Sequence, residues 1–327
     1  MSTLSPVLVG GEALYDFIST DVGSGLGGSI SFEKRAGGSP FNIAVGIRRL
    51  GVPVSYIGKF GMDEFGDALM VFLSNEFVDV TNVIREQGTK TTLAFVAVDK
   101  DAKPEFRFYR DNAADISLRR DELSGVQPTG FAMYHCGGIV LADEPSASSY
   151  ARLVDRFYES NVPISLDPTV RRSLIADPER YLALLLKIIE KVTILKVSDE
   201  ELQFLTGSND FDQAIKALPL KKGALAFVTL GRAGSSVYRD GVKISQVPGF
   251  SVKVVETTGC GDCFMASTLA QLAGNSIAEL AEIDADRLAS VMRFANAAAA
   301  IVATRVGAAE ANPTRAEVEK FLEQFAG

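Results

Sequence analysis

The feature that most constrains this chain is an alternation that starts at Phe131, in which short apolar runs are separated by longer amphipathic ones. FAMYHC, VPISLD and VTILKV have the length and composition of buried strands, while SASSYARLVDRFYES and ERYLALLLKIIEK between them carry apolar residues at helical spacing. Strand, helix and strand repeated in this way predict a parallel sheet with helices on both faces, because each crossover packs back on the sheet it left. ALAFVTL adds another core strand, SSVYRD-G-VKISQV reads as a hairpin, and VKVVE reads as a strand running into TTGCGDCFMASTLAQLA. Helices around residues 285–304 and 314–325 close the chain. With 327 residues, 47% of them apolar and 23% charged, there is enough chain for one large α/β domain or two smaller ones.

The first third reads differently. Residues 7–11 form a short first strand, and DFISTDVGSGLGGSISFEKRAGG after it is two strand-like segments around a glycine-rich turn, too polar for sheet core. This predicts a hairpin outside the main fold, which strands at residues 91–98 and 105–109 are placed to join. Ser39 offers an N-cap and Pro40 a first helical position for FNIAVGIRRL, with Gly51 as the stop. A strand at 54–58 and a helix at 64–77 follow.

Charge and cysteines narrow the function. A net charge of −8 repels nucleic acid and anionic membrane, so a bound polyphosphate must be met by local donors or Mg²⁺. The longest apolar stretches, such as residues 181–186, are too short to cross a bilayer, and the start MSTLSPVLVGGE lacks the basic region of an export signal. Cys136, Cys260 and Cys263 do not make a disulfide framework and suit a reducing cytoplasm. His135, the one histidine, sits at the end of a core strand and reads as structural.

Residues 252–269 carry the chemistry, since Thr257-Thr258-Gly259-Cys260-Gly261-Asp262 leads directly into an alanine-rich helix. The unpaired N–H groups of a helix start, with two glycines, make an anion cradle. An aspartate among them can take a proton from a hydroxyl lined up beside a phosphate. Two other readings stand: Asp262 as a simple partner of the helix dipole, and Cys260-Gly-Asp-Cys263 as a C-x-x-C redox motif.

GGSPFN at 37–42 together with ETTGCGD at 256–262 resembles the paired signatures of the ribokinase/PfkB sugar kinases, in that family's order and over essentially the whole chain. The resemblance implies a ribokinase-like, doubly wound, mostly parallel α/β sheet with a small β-sheet lid. Residues 1–12, 37–88 and 113–327 would form the large domain, and 13–36 and 89–112 the lid. It makes Asp262 the catalytic base and the amides of Gly259, Cys260 and Gly261 its anion hole. Cys260 stands where the family usually has Ala. Glu256 stands where the family usually has an Asp that helps hold a monovalent cation, so Glu256 and Thr258 mark the place where K⁺ would bind.

By the same resemblance, Gly37, Gly38 and Asn42 approach the sugar, with a turn and a capped helix as the plainer reading. Asp16 in GEALYDF, Phe108 and Arg110 in FRFYR, and Arg171 in DPTVR, where Thr169 replaces the usual Asn, complete the substrate set. Lys196, Ser198, Thr229, Gly231, Gly234 and Asn296 fall to the nucleotide, and Glu201 to Mg²⁺ through water, although Ser198 with Glu201 is also a capping box. The expected activity is ATP- and Mg²⁺-dependent phosphorylation of a small sugar at a primary hydroxyl, with fructose giving fructose 6-phosphate as first choice. The GEALYDF and FYRDNAAD segments are most similar to those of fructokinases. A 2-keto-3-deoxygluconate kinase, or another sugar or nucleoside kinase, is the alternative within the class. A non-catalytic sugar or nucleotide sensor and a thiol oxidoreductase are the alternatives outside it. Expected partners are the sugar, ATP and a second copy paired through the lid, with no nucleic acid and no membrane.

Overall fold

The runs that read as buried strands lie side by side in a computed structural model, which describes residues 4–100 and 104–325. Across the sheet the order is Val242–Val247, Ser235–Arg239, Leu225–Thr229, Ile194–Ser198, Ile164–Asp167, Met133–Gly137, Val7–Gly10 and Val54–Ile57. Pairing is parallel from Leu225–Thr229 to Val54–Ile57 and antiparallel in the hairpin at the other edge. The parallel strands are almost wholly buried because both faces are covered. Val7 and Val9 pack into one core with the helices Ser39–Arg49, Cys260–Leu272 and Ala285–Ala303, and Leu8 into the other with Ser146–Glu159 and Pro178–Ile189. The chain leaves Val7–Gly10 to one side for Val54–Ile57 and returns on its other side at Met133–Gly137. Such a switch point opens a crevice at the carboxyl ends of the strands.

A separate four-stranded sheet runs Phe32–Gly37, Leu14–Ser19, Leu93–Val98, Pro104–Tyr109, so the two later strands do join the early hairpin. Its register puts Arg35, Asp16, Ala94 and Phe108 in one cross-strand row, hence on one face. One end of the later strand pair is fastened from both strands to a single carboxylate, for Thr92 Oγ1 donates to Asp115 Oδ1 at 2.6 Å and Arg110 Nη2 to Asp115 Oδ2 at 2.6 Å. Parts of the two expected domain ranges, at 1–3, 101–103 and 326–327, lie outside the described residues.

Two local expectations fail. VKVVE is not a strand: Val254 and Val255 are 58% and 55% exposed, and Val255 N–H donates to the Ala303 carbonyl at a helix end. Branched residues favour extended backbone, but a strand also needs a ladder to join. Ser39 is not the cap of its helix. Gly38, at φ 104° and ψ 127°, holds that position, and Ser39 is the first helical residue. Lys59–Gly61 pairs in parallel with Ile84–Glu86, three-residue strands too short for any periodicity to reveal.

Candidate active site

The helix Cys260–Leu272 begins where the chain turns through Gly259 at φ 80°. A Cβ on Gly259 would stand 2.9 Å from the Ala308 side chain, so only glycine makes this turn against its neighbour. The first-turn N–H groups have no intrahelical acceptors and concentrate positive potential. Cys260 N–H is the one already engaged, turned to the Thr257 carbonyl at 3.2 Å. Lys196 backs this helix start: a side chain on Gly261 would begin 3.3 Å from its Nζ. Lys196 is itself buried and paired with Asp167 at 3.0 Å and Glu201 at 3.8 Å. Burial opposes its charge, but those two carboxylates prevail and hold the ammonium charged well above the usual lysine range.

Asp262, partly exposed in the first turn, is held by both oxygens. Ser39 Oγ donates to Oδ1 at 2.7 Å and Asn42 Nδ2 donates to Oδ2 at 2.8 Å. The Asn42 amide nitrogen, expected to meet a sugar hydroxyl, serves the Asp262 carboxylate. Among the described residues Asn42 Oδ1 is buried with no hydrogen-bond partner, which leaves an acceptor for a ligand hydroxyl.

Asp16 lies in the cross-strand row, and Gly37 makes room for it: a Cβ on Gly37 would fall 2.3 Å from Asp16 Oδ2. Burial pushes the Asp16 carboxyl up to about 7. Arg171 works against the shift, while Glu256, Asp262 and Glu310 add to it. Between the ordinary carboxylate value and about 7 the folded chain keeps a proton that the unfolded chain has lost. Ionising Asp16 therefore costs stability as pH rises through that window. Sugar hydroxyls donate to the ionised form, so the KM for sugar should fall several-fold between about pH 6 and pH 8. Asp16→Asn should flatten the profile, and a flat wild-type profile would remove Asp16 from the sugar site.

Phe108 packs with Leu14, Ala94 and Ile139 as an apolar floor to this row. Arg110, expected to contact substrate, is engaged within the chain by Asp115, at 3.0 Å from Nε and 2.6 Å from Nη2, and by Asp143, at 2.6 Å from Nη1, and so anchors the small sheet. Arg171 is exposed and close enough to Asp16 to favour its ionised form. Thr169, two residues before it, sits at φ 47°, a left-handed conformation that Asn adopts more readily than a branched residue.

Thr229, Gly231, Gly234 and Asn296 line one cavity of about 580 Å³ together with Cys260 and Gly261. Phe250, Val252, Val254, Ala299 and Ala300 give it an apolar wall, as a flat heteroaromatic ring requires. Asn296 lines it with its polar groups already committed, accepting from Ser235 Oγ and donating to the Val247 and Pro248 carbonyls. Lys196 and Ser198 do not line it.

For metals the donor set is sparse. Among the described residues no group of three or more His, Cys, Asp or Glu is placed to hold an ion. Ser198 and Glu201 form the capping box, and Glu201 also accepts from Val170 N–H, so it fits Mg²⁺ only through water. Glu256 Oε2 accepts from Arg35 Nη1 and Gly307 N–H, both at 3.1 Å, which leaves Oε1 as the oxygen that would face a monovalent cation. The redox reading fails on chemistry, since burial pushes the Cys260 thiol up to about 11 and the Cys263 thiol higher still, the reverse of an active C-x-x-C. Burial holds His135 down to about 3, neutral and bonded to Ser165 Oγ.

A carboxylate at a helix start, an adjoining cavity with an apolar wall and a row of sugar-compatible groups make a phosphoryl-transfer site. The sequence pattern of the pfkB family carbohydrate kinases matches residues 5–315. The chain belongs to that family. This pfkB kinase is 38% identical to a probable fructokinase-2 of Arabidopsis thaliana over 95% of the chain and 94% of the relative, and 36% identical to fructokinase-1 of Oryza sativa subsp. japonica over 96% of each. It superposes on an ATP-bound fructokinase from Xylella fastidiosa with a TM-score of 0.88, 28% identity and 99% of each chain covered. A fructokinase double mutant from Vibrio cholerae O395, bound to fructose, ADP and a potassium ion, gives 0.83 at 29% identity over 98% and 99%. The kinase has a ribokinase-like fold, and among its described residues no helix is long and apolar enough to cross a membrane. Sequence reasoning missed Arg35 and the wall at 250–254, and it gave Ser39, inside GGSPFN, only the role of a helix cap.

Proposed function

We propose that this kinase transfers the γ-phosphoryl group of ATP to the primary hydroxyl of fructose, giving fructose 6-phosphate and ADP. The observation that carries the proposal is the position of Asp262. It follows two residues that line the cavity, and its charge reaches Asp16 in the row. The sugar hydroxyl gives its proton to Asp262, its oxygen bonds to the γ-phosphorus, and the bond from that phosphorus to the bridging oxygen breaks, releasing ADP. The helix-start amides, with the Lys196 ammonium behind them, stabilise charge on the moving group. Glu201 would hold Mg²⁺ through water, and the ion would supply neutralisation of the nucleotide's phosphate charge. The small sheet acts as a lid that shuts water out, and a homodimer pairs through it, where Ile30, Phe106 and Tyr109 are exposed. Three free thiols suit the reducing cytoplasm in which such an enzyme would work.

A neutral sugar fits better than a sugar acid. Glu256, Asp262 and Glu310 add negative charge around Asp16, while Arg110, expected to contact substrate, is already paired with Asp115 and Asp143. A coupled assay over fructose, ribose, 2-keto-3-deoxygluconate and nucleosides should give fructose the highest kcat/KM, on the order of 10²-fold above the sugar acid. A preference for the acid or a nucleoside would replace fructose, and no turnover with any of them would favour the sensor.

A further inference from the structure

As a helix cap Ser39 would need no further purpose, but Gly38 takes that role and no side chain caps this helix. Ser39 is only 8% exposed, and as the first helical residue it has no preceding turn whose carbonyl its hydroxyl could bond back to. Ser39 instead reaches across to a second helix and a residue 223 positions away, where it meets one oxygen of Asp262. Asn42, three residues on and so on the same helix face, meets the other. Two donors from one helical turn thus fix both the position and the plane of a carboxylate.

We propose that Ser39 is a positioning residue for phosphoryl transfer: its hydroxyl, paired with the Asn42 amide, locks the plane of the Asp262 carboxylate so that a remaining lone pair meets the sugar alcohol. This rests on the reading of Asp262 as the base. Ser39 keeps its own proton throughout. The proton that moves is the sugar's, and it ends on Asp262 as the new oxygen–phosphorus bond forms and ADP departs. A carboxylate free to turn about its own bonds would spend much of its time out of line, and orientation of that kind is worth large factors in rate.

Kinetics of Ser39→Ala, Ser39→Thr, Asp262→Ala and the Ser39→Ala/Asp262→Ala double variant test the proposal. Ser39→Ala should lower kcat by roughly tenfold to a hundredfold, the range covered by losing one hydrogen bond to a charged group, with both KM values within about twofold of wild type. Ser39→Thr, which keeps the hydroxyl, should recover most of the rate. In the Asp262→Ala background the serine change should cost nothing further. Wild-type kcat in Ser39→Ala beside a crippled Asp262→Ala would overturn the positioning role, as would an equal loss in both backgrounds or a change in KM alone. Near-normal turnover in Asp262→Ala would instead bring down the underlying assignment of the base.

Discussion

Asp262→Asn should lower kcat by roughly 10²–10⁴ while ATP and sugar bind nearly as before, because it removes a general base and little else. The amide has the shape of the carboxylate and still offers an oxygen to Ser39 Oγ, and Asn42 meets the new NH₂ with its own Oδ1 once its amide turns over, so the packing of the helix Cys260–Leu272 against Ser39–Arg49 persists. What it lacks is the capacity to take a proton at neutral pH. The backbone amides and Lys196 lie outside the substituted group, and the cavity near Thr229 and Asn296 keeps its walls. Steady-state rates alongside calorimetric titration with ATP separate the two effects. Near-normal turnover would refute the role given to this carboxylate, and loss of ATP binding would mean that it helps hold the nucleotide.

Lys196→Met should be the most damaging substitution for stability. The ammonium lies between Asp167, 1% exposed, and Glu201, 8% exposed, and its removal leaves two buried carboxylates without a cation. Breaking a buried pair from one side costs about 3–5 kcal/mol, so the urea midpoint should drop sharply at an unchanged slope. Adding Asp167→Asn should recover part of the loss, since one uncompensated charge goes with it. Turnover should fall in both variants, as the charge behind Gly261 is gone in each. A midpoint close to wild type would show that water reaches the pair.

Much of the fold was legible because the strands of the large sheet announce themselves twice, by composition and by regular alternation with helices. The failures share a cause. VKVVE has strand composition, but pairing depends on which backbone lies alongside, and residues 251–257 meet a helix end. Local pattern also made Ser39 a plausible cap, and nothing within several residues of it discloses that its partner is Asp262. Arg110 stands where an arginine beside the substrate was expected, but its fate was set by Asp115 and Asp143, acids whose approach only the tertiary fold determines. The site was readable where glycines and a helix start define it, as at Gly259 and Gly37, because there the backbone itself is the device. Arg35 was invisible for the opposite reason, being a strand residue whose importance comes wholly from a neighbour 221 positions away.

The two donors that grip Asp262 come from near the start of the chain and the carboxylate from near its end, 220 and 223 residues on. A nascent chain folds from its N-terminus as it leaves the ribosome. It therefore completes Asp16, the Ser39–Arg49 helix and the loop at Thr229 before it possesses the group that joins them. Copies that stop short of residue 262 thus hold both donors without the carboxylate they are built to grip.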